Sequence, residues 1–301
     1  MTVPLIGPSE IAPTPETGPL TIVRSFVRPS ARRPAGGTFG EIVDWVLGPA
    51  REIADTAELF DELCWRLVAA GLPLARSTLH MRTIHPLFLG FGCRWRRKSG
   101  QTEEVGTAHG VLETPVYRDS PMRLVFEERQ VVRRRLTGAG KMDFPILAEL
   151  RAERITDYLA APIVFSGERI HAMTWASDRA GGFDDDDVAN LIALSRHIAP
   201  LLEIHSLRRV TTNLLDAYLG RLAGARVLKG EILRGRGEAI RAVIWSSDLR
   251  GFTQLSDRLP GARVIEILNA CFEQVVRPIE AHGGEVLKFI EIGRASCRER
   301  V

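Results

Sequence analysis

The chain has 301 residues, of which 45% are hydrophobic and 26% charged, and its net charge is +3. This length allows two domains, and the hydrophobic content is typical of a globular protein. The small net charge argues against nucleic-acid binding, and no apolar run approaches the length of a membrane span. The first residues lack the basic region and apolar core of a signal peptide. We therefore expect a cytoplasmic protein without a nucleic-acid partner or a membrane span.

The N-terminal residues are rich in proline. Seven of the 17 prolines lie in the first 37 residues, where the sequence shows no hydrophobic periodicity. Such a composition is typical of extended or disordered segments. Residues 1–38 are therefore predicted to be a leader that contributes no core.

Residues 39–202 carry the pattern of a mixed α and β domain. Residues 57–70 predict a helix, with one apolar face made of Phe60, Leu63, Cys64 and Leu67. Alternation predicts strands over residues 75–84 and 91–95, and a hairpin over residues 158–175 that turns at Ser166 and Gly167. Cys64, Cys93 and Cys271 are scattered in apolar patterns, which indicates reduced thiols and no disulfide.

The sequence Gly-Phe-Asp-Asp-Asp-Asp-Val at residues 182–188 precedes a long apolar helix pattern. We interpret the aspartates as a helix cap and first turn, because a calcium loop needs alternating ligands and a turn glycine. This element order, ending in Phe-x-Asp-x-Asp, resembles a GAF-type sensor domain. The resemblance implies an unidentified small ligand and often a cyclase partner domain.

Candidate pocket residues in this domain are few. His80, His85, His109 and His171 lack metal-ligand spacing and are interpreted as ordinary strand or loop histidines. The basic run 94–98 is compatible with an anionic ligand, but a solvated strand end is the favoured interpretation. The run 133–135 is interpreted as a charged face.

Residues 203–240 are predicted to be a helical linker. Its apolar stripe consists of Ile204, Leu207, Val210, Leu214, Leu215 and Tyr218. Such a stripe either pairs with its copy in a homodimer or packs on its own domain, and the sequence leaves both open.

A strand-to-helix turn follows at residues 242–257. The apolar run 242–245 predicts a buried strand, Asp248 follows it, Gly251 permits close backbone approach, and Thr253 is placed to cap the next helix. Such a turn is typical of a nucleoside-triphosphate and metal cradle. An ordinary strand–turn–helix is the alternative.

Ser-Asp-Leu-Arg-Gly-Phe-Thr at residues 247–253 resembles the first metal-site motif of class III nucleotide cyclases. Downstream, residues 263–276 predict a helix with one apolar face, and Gly-Gly-Glu-Val-Leu-Lys-Phe-Ile at 283–290 resembles the family's next strand. The resemblance implies that residues 241–290 are the opening strand–helix–strand of a ferredoxin-like catalytic domain. The predicted fold class is therefore α+β, with a GAF-like sensor, a helical linker and this cyclase portion.

The same resemblance implies roles for individual residues. Asp248 and the Leu249 carbonyl would bind metal, Gly251, Phe252 and Thr253 would line the triphosphate, and Lys288 would recognise adenine. Asp248 and Lys288 would be catalytic. The family uses two Mg²⁺ or Mn²⁺ ions, so the resemblance implies ATP as substrate, cyclic AMP and pyrophosphate as products, and a homodimer.

The last residues depart from the family. Ile292 stands where the family's second metal-binding aspartate belongs, and a hydrocarbon side chain cannot bind magnesium. Residues 291–301 match a translated short-read sequencing adapter, so we interpret them as an artefact outside the fold. The chain is then expected to be truncated and catalytically inactive.

Two alternatives to an adenylate cyclase remain. One is a non-catalytic GAF-like module for ligand sensing and dimerisation. The other is a guanylate or diguanylate cyclase, since Gly-Gly-Glu-Val at residues 283–286 is close to the diguanylate signature. That signature needs a second acidic residue where Val286 stands.

Overall fold

The computed structural model describes residues 20–85, 88–138, 140–231, 242–289 and 294–300. The chain divides into two compact units, an N-terminal unit (Met1–Arg209) and a C-terminal unit (Val210–Val301). Within the described ranges, no helix combines the length and hydropathy that a bilayer crossing requires.

The N-terminal unit is built on one antiparallel sheet. Its strands are β1 (Leu20–Val27), β2 (Leu74–Arg82), β3 (Phe88–Arg96), β4 (Gln101–Ala108), β5 (Val132–Arg135), β6 (Asp157–Val164) and β7 (Ile170–Ser177). They lie in the order β1-β4-β3-β2-β7-β6-β5. The predicted hairpin is confirmed as β6 and β7, which are joined through a short 3₁₀ turn at Ser166–Glu168.

Helices cover both faces of this sheet. They are α1 (Phe39–Leu47), α2 (Thr56–Ala69), α3 (Pro115–Arg118), α4 (Pro121–Glu128), α5 (Pro145–Ala152) and α6 (Asp185–Leu219), whose last ten residues belong to the C-terminal unit. Because side chains alternate along a strand, each strand contributes to both layers.

The main core lies between the sheet and helices α1, α2 and α6. The predicted face of α2 is confirmed, since Phe60, Leu63, Cys64 and Leu67 are all buried. Leu79 and Trp175 meet this face from β2 and β7. Burial raises the pKa of the Cys64 thiol, which favours the reduced, protonated form that the sequence predicts.

A second core lies on the opposite face of the sheet. Leu147 and Leu150 of α5 and Val125 of α4 pack against Tyr158 and Ala160 of β6. The sequence analysis did not predict α3, α4, α5, β4 or β5. Three of these elements are helices of at most eight residues, too short to show a clear helical period.

Strand β1 differs from the prediction of a leader outside the core. Leu20–Val27 pairs antiparallel with β4, and Phe26 packs against the main core. The segment is rich in β-branched residues and forms the edge of the sheet, so it needs only one partner strand. Residues 1–19 lie outside the described residues.

The aspartates before α6 form a helix start, as predicted. The Asp184 carboxylate accepts a hydrogen bond from the Asp187 backbone N–H at 2.8 Å, and the Asp187 carboxylate accepts one from the Asp184 N–H at 3.1 Å. This reciprocal pairing satisfies donors at the first turn. Arg179 contacts both carboxylates, at 3.3 and 2.6 Å.

The C-terminal unit contains α7 (Arg221–Leu228), β8 (Ala242–Asp248), α8 (Phe252–Arg258), α9 (Gly261–Ala281), β9 (Glu285–Phe289) and β10 (Arg294–Arg300). The strands pair in the order β8-β10-β9. The predicted order of strand, helix and strand over residues 242–289 is confirmed.

Two expectations for this unit are corrected. Strand β8 is not buried, since Val243, Ile244 and Trp245 are 54%, 73% and 43% exposed. A sheet of only three strands is too small to have both of its faces covered, so these side chains of β8 stay exposed. Arg294–Arg300, expected to stand outside the fold, pairs as β10 with both β8 and β9, because an open strand edge offers N–H and C=O groups to any extended segment.

Candidate functional site

A cavity of about 440 Å³ lies inside the N-terminal unit. Its floor is the face of the sheet opposite α2 and α6, and its roof is the segment that contains α3, α4 and α5. This volume falls in the range of about 300–1,000 Å³ that is usual for small-molecule sites.

Two glycines keep part of the floor open. Gly90 and Gly92 lie on β3 opposite Arg82 and His80. A Cβ atom would lie 2.4 Å from the Met81 carbonyl oxygen at Gly90 and 2.4 Å from the Leu79 carbonyl oxygen at Gly92. Only glycine therefore fits this close approach of β3 to β2, and the floor carries no side chain at either position.

Cationic and hydroxyl side chains form the rest of the floor. In the sheet register Arg94 lies opposite Thr78, which lies opposite Thr174. The Thr78 hydroxyl oxygen is 2.6 Å from that of Thr174 and 2.8 Å from His80 Nε2. Hydrogen bonds from Thr78 therefore link two side chains of β2 to Thr174 of β7, and Arg94 of β3 lies beside them in the register.

His80 is neutral at physiological pH. Removal from solvent, followed by repulsion from Arg94 and Arg76, lowers its pKa to about 4. A neutral imidazole both donates and accepts a hydrogen bond, so His80 adds a polar group without adding charge.

Arg76 and Arg94 have carboxylate neighbours at the edge of the floor. Arg76 contacts Glu153 at 3.3 Å, and Arg94 contacts Glu103 at 3.2 Å. Glu103 also contacts Arg96 at 3.4 Å, so one carboxylate serves two guanidinium groups. Burial lowers the pKa of Arg94, Glu103 opposes this shift, and Arg96 and Arg76 add to it.

The roof is mainly apolar and is lined by Val111, Leu112, Met122, Phe126 and Ile146. Asp119 and Glu149 of the same segment add carboxylates to the lining. At the rim, the Arg82 guanidinium lies 4.7 Å from the centre of the Phe126 ring, a cation–π contact. The cavity therefore has a polar floor and a mainly apolar roof.

Comparison with known proteins shows only that the fold of this chain is similar to theirs. A GAF domain of a phosphoenolpyruvate-protein phosphotransferase from Coxiella burnetii is 15% identical, covering 57% of this chain and 96% of its own, with a TM-score of 0.41. The phycocyanobilin-bound GAF domain of a cyanobacterial phytochrome is 12% identical, covering 58% and 98%, with a TM-score of 0.38. A free methionine-R-sulfoxide reductase from Neisseria meningitidis, in complex with its substrate, is 13% identical, covering 57% and 92%, with a TM-score of 0.38.

No family model matches the chain, and no curated protein matches it. The fold therefore rests on the chain's own elements. The predicted α+β class is confirmed, and the N-terminal unit has the GAF-like order of helix, strands, hairpin and long helix that the sequence predicts.

The structure places the predicted nucleotide residues at the end of β8. Gly251 has a φ of 74°, the left-handed conformation that favours glycine, and it immediately precedes α8. Thr253 does not cap this helix as predicted, because the helix begins at Phe252 and no side chain caps it. Asp248 is exposed, with Leu249 between it and the turn. Lys288 lies in β9 by its backbone, and its side chain is outside the described part.

Asp248, the predicted metal ligand, pairs in backbone register with Arg294 of β10. Among the described residues, no group of three or more His, Cys, Asp or Glu side chains is placed to hold a metal ion. Ile292, which replaces the expected carboxylate, lies outside the described residues.

The cavity was largely missed at the sequence level. His80 and Arg94 were considered, but Arg94 belongs to the cavity and not to a solvated strand end, and the neighbouring Trp95 is fully buried. The charged-face interpretation of Arg133–Arg135 agrees with the structure, where Arg133 contacts Asp157 at 2.8 Å and Arg134 contacts Asp143 at 2.7 Å.

Proposed function

We propose that the N-terminal unit is a ligand-binding sensor module. The cavity between the sheet and the α3–α5 layer is the observation that carries this proposal. Its polar floor and apolar roof are typical of small-molecule sites, where a few polar groups fix the orientation of a mostly apolar ligand.

A series of ion pairs through strand β4 connects the cavity to helix α6 and supports a sensing role. On β4, Glu103 contacts the cavity residue Arg94, whereas the next residue, Glu104, faces the other side of the sheet. Glu104 is buried and contacts Arg24 at 2.6 Å and Arg209 of α6 at 2.5 Å. A ligand that draws Arg94 away from Glu103 would shift β4, and β4 holds the helix through Glu104.

Ligand binding is testable with a neutral apolar probe. N-phenyl-1-naphthylamine fluoresces when it enters an apolar cavity, so titration should show saturable binding. Ile146→Trp should abolish it by filling the cavity, and the control Ala148→Trp should not, because Ala148 is exposed on the same helix. Leu112→Trp provides a second filling variant. Failure of the probe to bind, or equal loss with the control, would contradict the proposal.

The cyclase segment is a second candidate function. The observation that favours it is the turn after β8, where Gly251 adopts a left-handed conformation directly before a helix. In this proposal residues 242–289 belong to an adenylate cyclase, Gly251, Phe252 and Thr253 contact the ATP phosphates, and Lys288 recognises the base.

ATP binding tests this second candidate. A fluorescent ATP analogue should bind in magnesium buffer, and Asp248→Asn should weaken binding. Asp257→Asn is the control, because Asp257 is also exposed and lies in the same segment. Absence of binding would remove the candidate without affecting the sensor proposal.

A homodimer through α6 belongs with the sensor proposal. Leu214 is 41% exposed, and Tyr218, one turn further along, is also exposed. Pairing of α6 with its copy would cover these apolar side chains and bring two output segments together.

A further inference from the structure

Hydrogen-bond donors converge on one part of the cavity floor. Arg76 lies opposite Ala176, which lies opposite Tyr158, and the adjacent row contains Arg94, Thr78 and Thr174. Arg76 and Tyr158 are two strands apart, about 10 Å, with only the short alanine side chain between them. The floor thus has a gap with donors on its sides.

Each arginine beside this gap has a carboxylate neighbour: Arg76 contacts Glu153 at 3.3 Å, and the Arg94 Nε lies 3.2 Å from Glu103 without hydrogen-bond geometry. Glu103 is shared with Arg96, so Arg94 does not have a carboxylate to itself. Within the described residues, no hydrogen bond to the Tyr158 hydroxyl is found, and burial raises the pKa of that hydroxyl, so it remains a donor. A partly buried guanidinium that shares its carboxylate with a second arginine gains charge-assisted hydrogen bonds when an anion binds beside it.

The roof above the gap sets a second requirement. Leu112, Met122 and Ile146 offer no hydrogen-bonding side chain, so a fully hydrated inorganic anion would leave them in contact with water. A ligand that matches both the polar floor and the apolar roof has an acidic group at one end and an apolar body at the other.

We propose that the cavity selects an amphipathic organic anion, whose carboxylate or sulfonate lies between Arg76, Arg94 and Tyr158 and whose apolar body packs under α3–α5. This inference rests on the proposed ligand-binding function and names the ligand class. Glu149, which also lines the cavity, opposes the anion and limits its affinity.

A matched pair of probes tests the class. 8-Anilinonaphthalene-1-sulfonate is N-phenyl-1-naphthylamine with one added sulfonate, so the ratio of their dissociation constants measures recognition of the charge. The sulfonate should bind about tenfold more tightly, as expected for charge-assisted hydrogen bonds. Arg94→Gln should remove this advantage, so that the ratio of the two dissociation constants falls to about one.

Three further variants locate the effect. Arg96→Gln is the control for Arg94→Gln, because Arg96 shares Glu103 but does not line the cavity. Tyr158→Phe, which removes only a hydroxyl, should weaken the sulfonate several-fold. Glu149→Gln should strengthen it by removing a competing carboxylate.

The outcomes separate this inference from the proposed function. If both probes bind equally, the cavity binds ligands but does not recognise charge, which contradicts the inference and leaves the proposed ligand-binding function intact. If neither probe binds, both the inference and the proposed function are contradicted. Equal effects of Arg94→Gln and Arg96→Gln, sulfonate binding that survives Ile146→Trp, or full displacement by inorganic phosphate would each overturn the inference.

Discussion

The two units differ in how far tertiary structure encloses their chemically suggestive residues. The N-terminal sheet is covered by helices on both faces, and its arginines and hydroxyls line a partly open cavity. In the C-terminal unit the motif that resembles a cyclase lies beside an exposed strand, and Asp248 is itself exposed. The contrast shows that enclosure, which sequence motifs do not report, makes polar residues energetically important.

A large difference is expected between two aspartates at strand ends. Asp157 is buried and accepts hydrogen bonds from Arg133 at 2.8 Å and from the Phe183 backbone N–H at 3.1 Å. Asp157→Ala should lower the free energy of unfolding by about 3 kcal/mol, because it leaves the buried Phe183 N–H without an acceptor and removes an ion-pair partner of the partly buried Arg133. Asp248→Ala should change it by less than about 0.5 kcal/mol. Urea unfolding measures both, and equal effects would contradict the comparison.

Two apolar truncations test the same contrast. Leu63→Ala should lower the free energy of unfolding by about 2–5 kcal/mol, since Leu63 is fully buried and its loss leaves a cavity. Ile244→Ala, on the exposed strand β8, should have a small effect. Urea unfolding followed by circular dichroism distinguishes them, and a comparable cost at Ile244 would show that β8 is covered in solution.

The pH dependence of stability should depend on the cavity histidine. The pKa of His80 is lowered to about 4 in the folded protein, below the ordinary value of 6.5. The unfolded chain therefore binds more protons between these values, and stability falls as the pH drops from about 6.5 towards 4. His171 titrates in the same direction. His80→Gln should reduce the slope, measured by urea unfolding at several pH values.

The smallest effect is expected on helix α6. Leu202 is buried in the N-terminal unit, whereas Leu214 on the same helix is exposed. If α6 pairs with its copy, Leu214→Asp should weaken dimerisation several-fold in analytical ultracentrifugation without lowering the stability of the N-terminal unit. An unchanged dimer would exclude this face.

Local patterns predicted the elements with strong periodicity. The apolar face of α2, the hairpin β6–β7, the cap of α6 and the left-handed turn at Gly251 all follow from residues close in the sequence. Elements that depend on distant partners were missed. Strand β4 reads Gln-Thr-Glu-Glu-Val-Gly-Thr-Ala, and its two glutamates are held by arginines from other elements.

Prediction of the candidate cavity from the sequence was limited for the same reason. Arg76, Arg94, Thr174 and Tyr158 are far apart in the sequence, and only the pairing of β3, β2, β7 and β6 brings them onto one face. The roof consists of short helices without clear periodicity, so no local signal shows that this face is covered.

The amino-acid sequence by itself determined the α+β class, the main helices and strands and the turn after β8, because each depends on periodicity or backbone preference within a few residues. Only the tertiary structure decided which polar groups are enclosed. Burial and charge pairing arise from strand register and from the packing of layers, so Arg94 lines a cavity that its neighbours in the sequence do not indicate, and Asp248 remains at the surface.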